Sequence, residues 1–227
     1  MPYRQRLADA LTRVIALRRS LLADPQLTTR WRAVKRYQSE RLGRTYADLL
    51  KTPRYRAAAQ FFLEDLYGEK DFEQRDREAL RVVPKLARML PDRAVETMAL
   101  AVELDELSEV LDSRVGSNVE LPLDDSGYAR AYCRAGTRAE REHQIEMVDR
   151  IGRALDRLAR LPLLSGMLHV MRAPAEAAGL EHLHQFLTRG FDSFRAMRGA
   201  GEFLEIVRNR ETSLMSEMFA AGENPDR

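Results

Sequence analysis

The amino-acid sequence predicts an all-α protein, a bundle of about eight to nine helices, and three observations lead there. Apolar residues recur at a spacing near 3.6 along almost the whole chain. No run of four to eight β-branched or aromatic residues alternates as a half-buried strand would. Apolar residues make up 44% and charged residues 32% of the 227, the balance of a folded chain with a heavily solvated surface.

The first helix is expected at about residues 3–22, with Leu7, Leu11, Val14, Leu17 and Leu21 on one face, ending before Asp24-Pro25. A second is predicted over 28–51, capped by Thr28 or Thr29, with Trp31, Val34, Leu42 and Leu49 aligned and Tyr37, Gln38 and Tyr46 flanking. Thr52-Pro53 reads as the cap and first position of a third helix that Gly68 ends. Its sequence, YRAAAQFFLEDLYG, is apolar around most of its circumference, which predicts a central helix touched from several directions.

Asp71 and Gln74 form a capping-box-like start to the next helix, through Leu80, Val83, Leu86 and Leu90, and Pro84 predicts a kink or break in it. Pro91 suits the first turn of a helix over 92–114, whose apolar stripe moves from Val95, Met98 and Val102 to Leu100, Leu104, Leu107 and Leu111, so its partners should change along its length. GSNVELPLDDSG, residues 116–127, reads as the loop joining two halves of one domain, 1–221.

A short helix at 127–135 follows, then a long one opened by Thr137 and carrying Ile145, Val148, Ile151, Leu155 and Leu158. Another is predicted at 162–172, Pro174 and Gly179 punctuate the chain, and two final helices fall at 180–197 and 201–220. Residues 222–227 are expected to form a disordered tail. No repeat of 20–50 residues is visible, which argues against a solenoid.

A chain of this length buries a core without disulfides or metals. No stretch approaches the roughly 20 apolar residues that a bilayer needs, and arginines interrupt the N-terminus where a secretory signal would be apolar. With Cys133 as the lone cysteine, the expected location is cytoplasmic.

Charge is unevenly placed. Residues 1–60 carry 14 Lys/Arg against four Asp/Glu, whereas residues 61–125 carry eight against 17. A net charge of +2 thus conceals a basic first third and an acidic middle, which can attract each other within one fold or between two copies. The basic surface is expected at Arg30, Arg32, Lys35, Arg36, Arg41 and Arg44. The acidic surface is expected at Glu103, Asp105, Glu106, Glu109 and Asp112, which crowd a helix half where the dipole disfavours them.

Three segments resemble an uncharacterised all-helical family of bacterial proteins: FFLEDLYGEKDFEQRD at 61–76, ELDELSEVLD at 103–112 and FLTRGFDSFRAMRGAGEFLEIVRNRE at 186–211. The resemblance spans about residues 55–220 and implies a fold unit and a bacterial origin, with no activity attached.

Around the first of these segments, Asp65, Tyr67, Arg75 and Asp76 form a candidate cleft at a helix junction, with Asp65 near the apolar face and Glu64 pointing away. Two Glu-x-x-His spacings, Glu140 with His143 and Glu181 with His184, match what a carboxylate-bridged metal bundle requires, but Glu181 lies far from the apolar stripe of its helix. Met167, His169 and Met171 alternate by two, a spacing that sends helical side chains apart, and read as core packing. Gly-rich phosphate loops, nucleophile elbows and Cys-x-x-Cys pairs are missing from the sequence, so no cofactor is expected.

The leading expectation is a non-enzymatic interaction or scaffold protein with a charge-polarised surface, binding a protein partner or a second copy. Nucleic-acid binding through the basic N-terminal helices and a metal- or cofactor-dependent bundle enzyme are the alternatives.

Overall fold

The computed structural model describes residues 2–66, 78–83, 87–88 and 92–223, and every regular element among them is helical. In chain order these are α1 (Pro2–Ala23), α2 (Pro25–Thr45), α3 (Ala47–Lys51), α4 (Arg56–Phe61, continued by the π-helical turn Phe62–Leu66), α5 (Asp92–Asn118), α6 (Asp125–Ala135), α7 (Arg138–Ala159), α8 (Pro162–Val170), α9 (Arg172–Ala177), α10 (Glu181–Ala196) and α11 (Gly201–Glu223). The expected cap at Asp71 and Gln74, the kink at Pro84 and the start at Pro91 lie outside the described residues.

Where boundaries differ from expectation, a side chain explains the shift. The α2 helix starts at Pro25 because the Asp24 carboxylate accepts from the Gln26 and Leu27 amides at 2.9 and 3.0 Å, and Pro25 needs no such partner. Thr28 is therefore inside the helix and donates instead to the Leu21 carbonyl, 2.7 Å away. The chain then bends at Tyr46, so the predicted 28–51 helix becomes α2 and α3. Residues 52–55 form a turn in which the Thr52 carbonyl accepts from the Tyr55 and Arg56 amides, delaying α4 past Pro53.

Gly116 belongs to α5 and not to a loop. A β-carbon there would sit 3.3 Å from the Trp31 amide nitrogen, so this glycine lets the α2 backbone close on α5. The connection shrinks to residues 119–124. At the C-terminus α11 takes in Gly222 and Glu223, which the sequence assigned to the tail.

Three apolar clusters form the core among the described residues. Leu7 and Leu11 of α1 meet Val83, Ala87, Val95 and Ala99. Val34 of α2 meets Val115, Tyr128, Tyr132, Met215 and Phe219. The largest joins Leu42, Tyr46 and Leu49 to Tyr55, to Ala58 and Ala59 of α4 and to Phe194, Met197, Phe203 and Leu204. The α4 segment thus puts Ala58, Ala59 and Phe61 in the core while Arg56, Ala57 and Gln60 face solvent, and α5 packs on α1, α2, α6 and α7. The segment 78–83 ties to α10: the buried Glu78 carboxylate accepts from the Leu183 amide at 2.8 Å, one of the donors that a helix start leaves without an intrahelical partner.

Candidate functional site

The five acids of α5 meet the basic residues of α1 and α2. Arg6 donates two hydrogen bonds to Glu103, at 3.0 and 2.7 Å, and Arg13 two to Glu106, at 2.6 and 2.8 Å. Arg18 reaches Asp105 at 2.8 Å and Glu109 at 3.1 Å. The pairing runs from Arg6 with Glu103 to Arg18 with Glu109, so α1 and α5 lie side by side in the same direction. The repulsion and the unfavourable dipole that the acids would otherwise feel are offset inside the molecule.

The ladder becomes a buried network toward its C-terminal end. Glu109 also accepts from the Trp31 indole at 3.0 Å and from Lys35 at 3.2 Å. Asp112 accepts from Lys35 at 2.7 Å and from the Gln38 amide at 2.7 Å, and Gln38 also donates to the Tyr128 hydroxyl. Burial works against the charge on Lys35, but Asp112 and Glu109 outweigh it and raise its pKa above the ordinary lysine range.

The sequence placed all five acids and Lys35 and Arg41 on surfaces, and the structure corrects this. Glu109 and Asp112 are buried, and Glu103, Asp105 and Glu106 are half-buried. Arg41 turns inward to Glu211, which also accepts from the Tyr46 hydroxyl at 2.7 Å. Of the basic set, Arg32, Arg36 and Arg44 are exposed and Arg30 half-buried. A nucleic-acid interface on α2 would therefore lose Lys35 and Arg41, two of its six candidate cations.

Asp65 sits on the π-helical turn after α4, buried as expected, and accepts from Arg189 of α10 at 3.0 Å. The same guanidinium donates to the exposed Glu64 at 2.8 Å. Tyr67, Arg75 and Asp76 lie outside the described residues.

The two Glu-x-x-His pairs are engaged separately. Glu140 closes a capping box with Thr137 and accepts from Arg114 at 3.0 Å, and the Thr137 amide and Arg114 hold its carboxyl below the ordinary glutamate range. His143 is exposed. Glu181 accepts from Gln185 on the same helix, and His184 bonds the Leu168 carbonyl at 2.8 Å. Among the described residues, no three His, Cys, Asp or Glu side chains converge as a metal centre.

A family model for a domain of unknown function, DUF8198, matches residues 17–225. The chain belongs to the DUF8198 family. No curated protein and no solved structure matches it. The match is wider than the 55–220 stretch of the resemblance. The DUF8198 region contains the Arg18, Lys35 and Glu109 network, while Arg6 and Arg13 of the ladder precede it.

The DUF8198 region also holds two features that sequence reasoning missed. Met167, His169 and Met171, read as core residues, are all exposed on or beside α8, a short helix that packs on α7, α9 and α10. Met167, Val170 and Met171 stand at the i, i+3, i+4 positions of one helical face, and that face is bare. The available signal was PLLSGMLHV itself, nine residues with no Asp, Glu, Lys or Arg, more apolar than a solvated helix needs to be. The second feature is a pocket lined by Arg160, Arg195 and Arg198 at the ends of α7 and α10, for which no local sequence signal exists.

Proposed function

We propose that this DUF8198 protein is a non-enzymatic interaction protein that self-associates through the bare face of α8 and the adjoining part of α10. One observation carries the reading. Of the eight large apolar side chains exposed among the described residues, five fall between 161 and 187: Leu161, Met167, Val170, Met171 and Leu187. Isolated exposed apolar residues are ordinary, but Met167, Val170 and Met171 share one helical face, and a cluster of that kind on packed helices supports an interaction surface. Methionine at two of the five positions adds an adaptable contact.

A second copy is the partner that this face suits. The stripe can pack on itself about a twofold axis, and its rim carries both signs, Arg172 with Glu176 at 2.9 Å and His169 near Asp192 at 3.9 Å, so two copies meet without net repulsion. Light scattering over a dilution series tests the proposal. The expected result is a concentration-dependent dimer that Val170→Asp converts to a monomer of unchanged helical content. A wild-type monomer at every concentration would remove the proposal.

A further inference from the structure

The self-association face has a chemistry of its own, because two of its side chains are thioethers. Among the described methionines, Met147, Met197 and Met215 are buried and Met98 and Met218 half-buried, whereas Met167 and Met171 are 50% and 47% exposed. The exposed pair is also a unit. The Met171 amide donates to the Met167 carbonyl at 2.9 Å, which closes one helical turn and sets the two side chains on one face, with Val170 beside them.

Exposure decides which sulfur an oxidant meets. A thioether reacts through a lone pair on sulfur, so a peroxide must touch that atom, and at Met167 and Met171 no helix has to open first. Met147, Met197 and Met215 are reached only when the core around them opens, which is rare in a folded chain.

Oxidation also matters most at this place. A sulfoxide turns a soft apolar side chain into a polar one, and a polar oxygen buried against apolar partners without a donor is costly. The polar neighbours that could donate to it are already turned elsewhere, Arg172 to Glu176 at 2.9 Å and His169 toward Asp192 at 3.9 Å.

We propose that Met167 and Met171 form a peroxide-sensitive modification site whose oxidation releases the second copy; the release rests on the self-association reading, the site does not. The sulfur lone pair attacks one oxygen of hydrogen peroxide, the S–O bond forms as the O–O bond breaks, and the departing hydroxide takes the proton of the transferred oxygen and leaves as water. Sulfur is oxidised by two electrons and the peroxide reduced by two. A dithiol reductant reverses the change, carrying the oxygen off as water and becoming a disulfide, so the device can cycle. Peroxide reaches the sulfurs of the free chain, so oxidation empties the dimer and the dimer slows oxidation.

Hydrogen peroxide added to the full chain, followed by peptide mass spectrometry and by light scattering over a dilution series, tests the site and the release separately. In dilute protein Met167 and Met171 should each take up one oxygen at least about tenfold faster than Met147, Met197 and Met215, and a concentrated sample should slow them. The oxidised chain should need at least about tenfold more protein to dimerise, at unchanged helical content. A Met167→Leu/Met171→Leu double variant keeps the face apolar, so it should dimerise as the wild type does and lose its response to peroxide, which separates the pair from oxidation at the half-buried Cys133. Equal oxidation of exposed and buried methionines would overturn the proposal, and so would a double variant that still responds. A dimer that survives oxidation of both residues would overturn the release while self-association stands, whereas a wild-type monomer at every concentration would remove both.

Discussion

Glu109 and Val170 mark two opposite treatments of a side chain in this molecule. Glu109 is ionisable and only 3% exposed, held by Arg18, Trp31 and Lys35, whereas Val170 is apolar and 77% exposed at the end of α8. Around α5 the structure removes charge from water and satisfies it, and on α8 to α10 it leaves apolar surface in water. The difference separates what holds the fold from what remains available to a ligand. Much of the charge asymmetry that dominates the composition is paired between α1, α2 and α5, and the apolar face of α8 is the surface left with an unmet physical need.

The largest expected effect comes from breaking the α5 side of this comparison. Glu109→Ala leaves Arg18, Lys35 and the Trp31 indole facing a removed acceptor in a buried place, and losing one member of a buried ionic network costs about 3–5 kcal/mol. Urea unfolding should show a loss in that range. A loss under about 1 kcal/mol would mean that water replaces the carboxylate and that the network is not part of the fold's foundation.

How legible the two regions were in the sequence differs for the same reason. The buried face of α1, the changing partners of α5 and the Thr137 cap with Glu140 three residues on are local patterns, written in spacings of three and four. Asp24-Pro25 was read as an ending although the same pair starts a helix, because Asp caps and Pro tolerates the first turn. Gly116 was read as a loop signal because its reason lies in α2, 85 residues earlier, at Trp31. Periodicity also cannot say which face of α8 is covered, since the helix is apolar on every side. The pocket is harder still: Arg160 and Arg198 are brought together by packing, and a positive φ at an arginine has no sequence signature.

An intermediate effect is expected at the exposed end of the ladder. Arg13 pairs with Glu106 in good geometry, yet about half of its side chain faces water, so solvent screens the pair. Arg13→Gln should cost about 0.2–1 kcal/mol in dilute buffer, with the loss vanishing as salt approaches about 1 M. A loss that persists at high salt would show that Arg13 acts through packing of its aliphatic stem on α5 and not through charge.

The smallest expected change lies on the bare face. Val170→Thr keeps the branched shape and exchanges one methyl for a hydroxyl at a position already in water, so in dilute protein its stability should stay within about 0.5 kcal/mol of the wild type. Raising the protein concentration sharpens the test. If two copies bury this face, mass action stabilises the wild type as the dimer forms and stabilises Val170→Thr less, so their melting temperatures separate only in concentrated samples. Melting temperatures that stay together at every concentration would show that Val170 remains in water at all times, and would place the partner of this chain elsewhere on its surface.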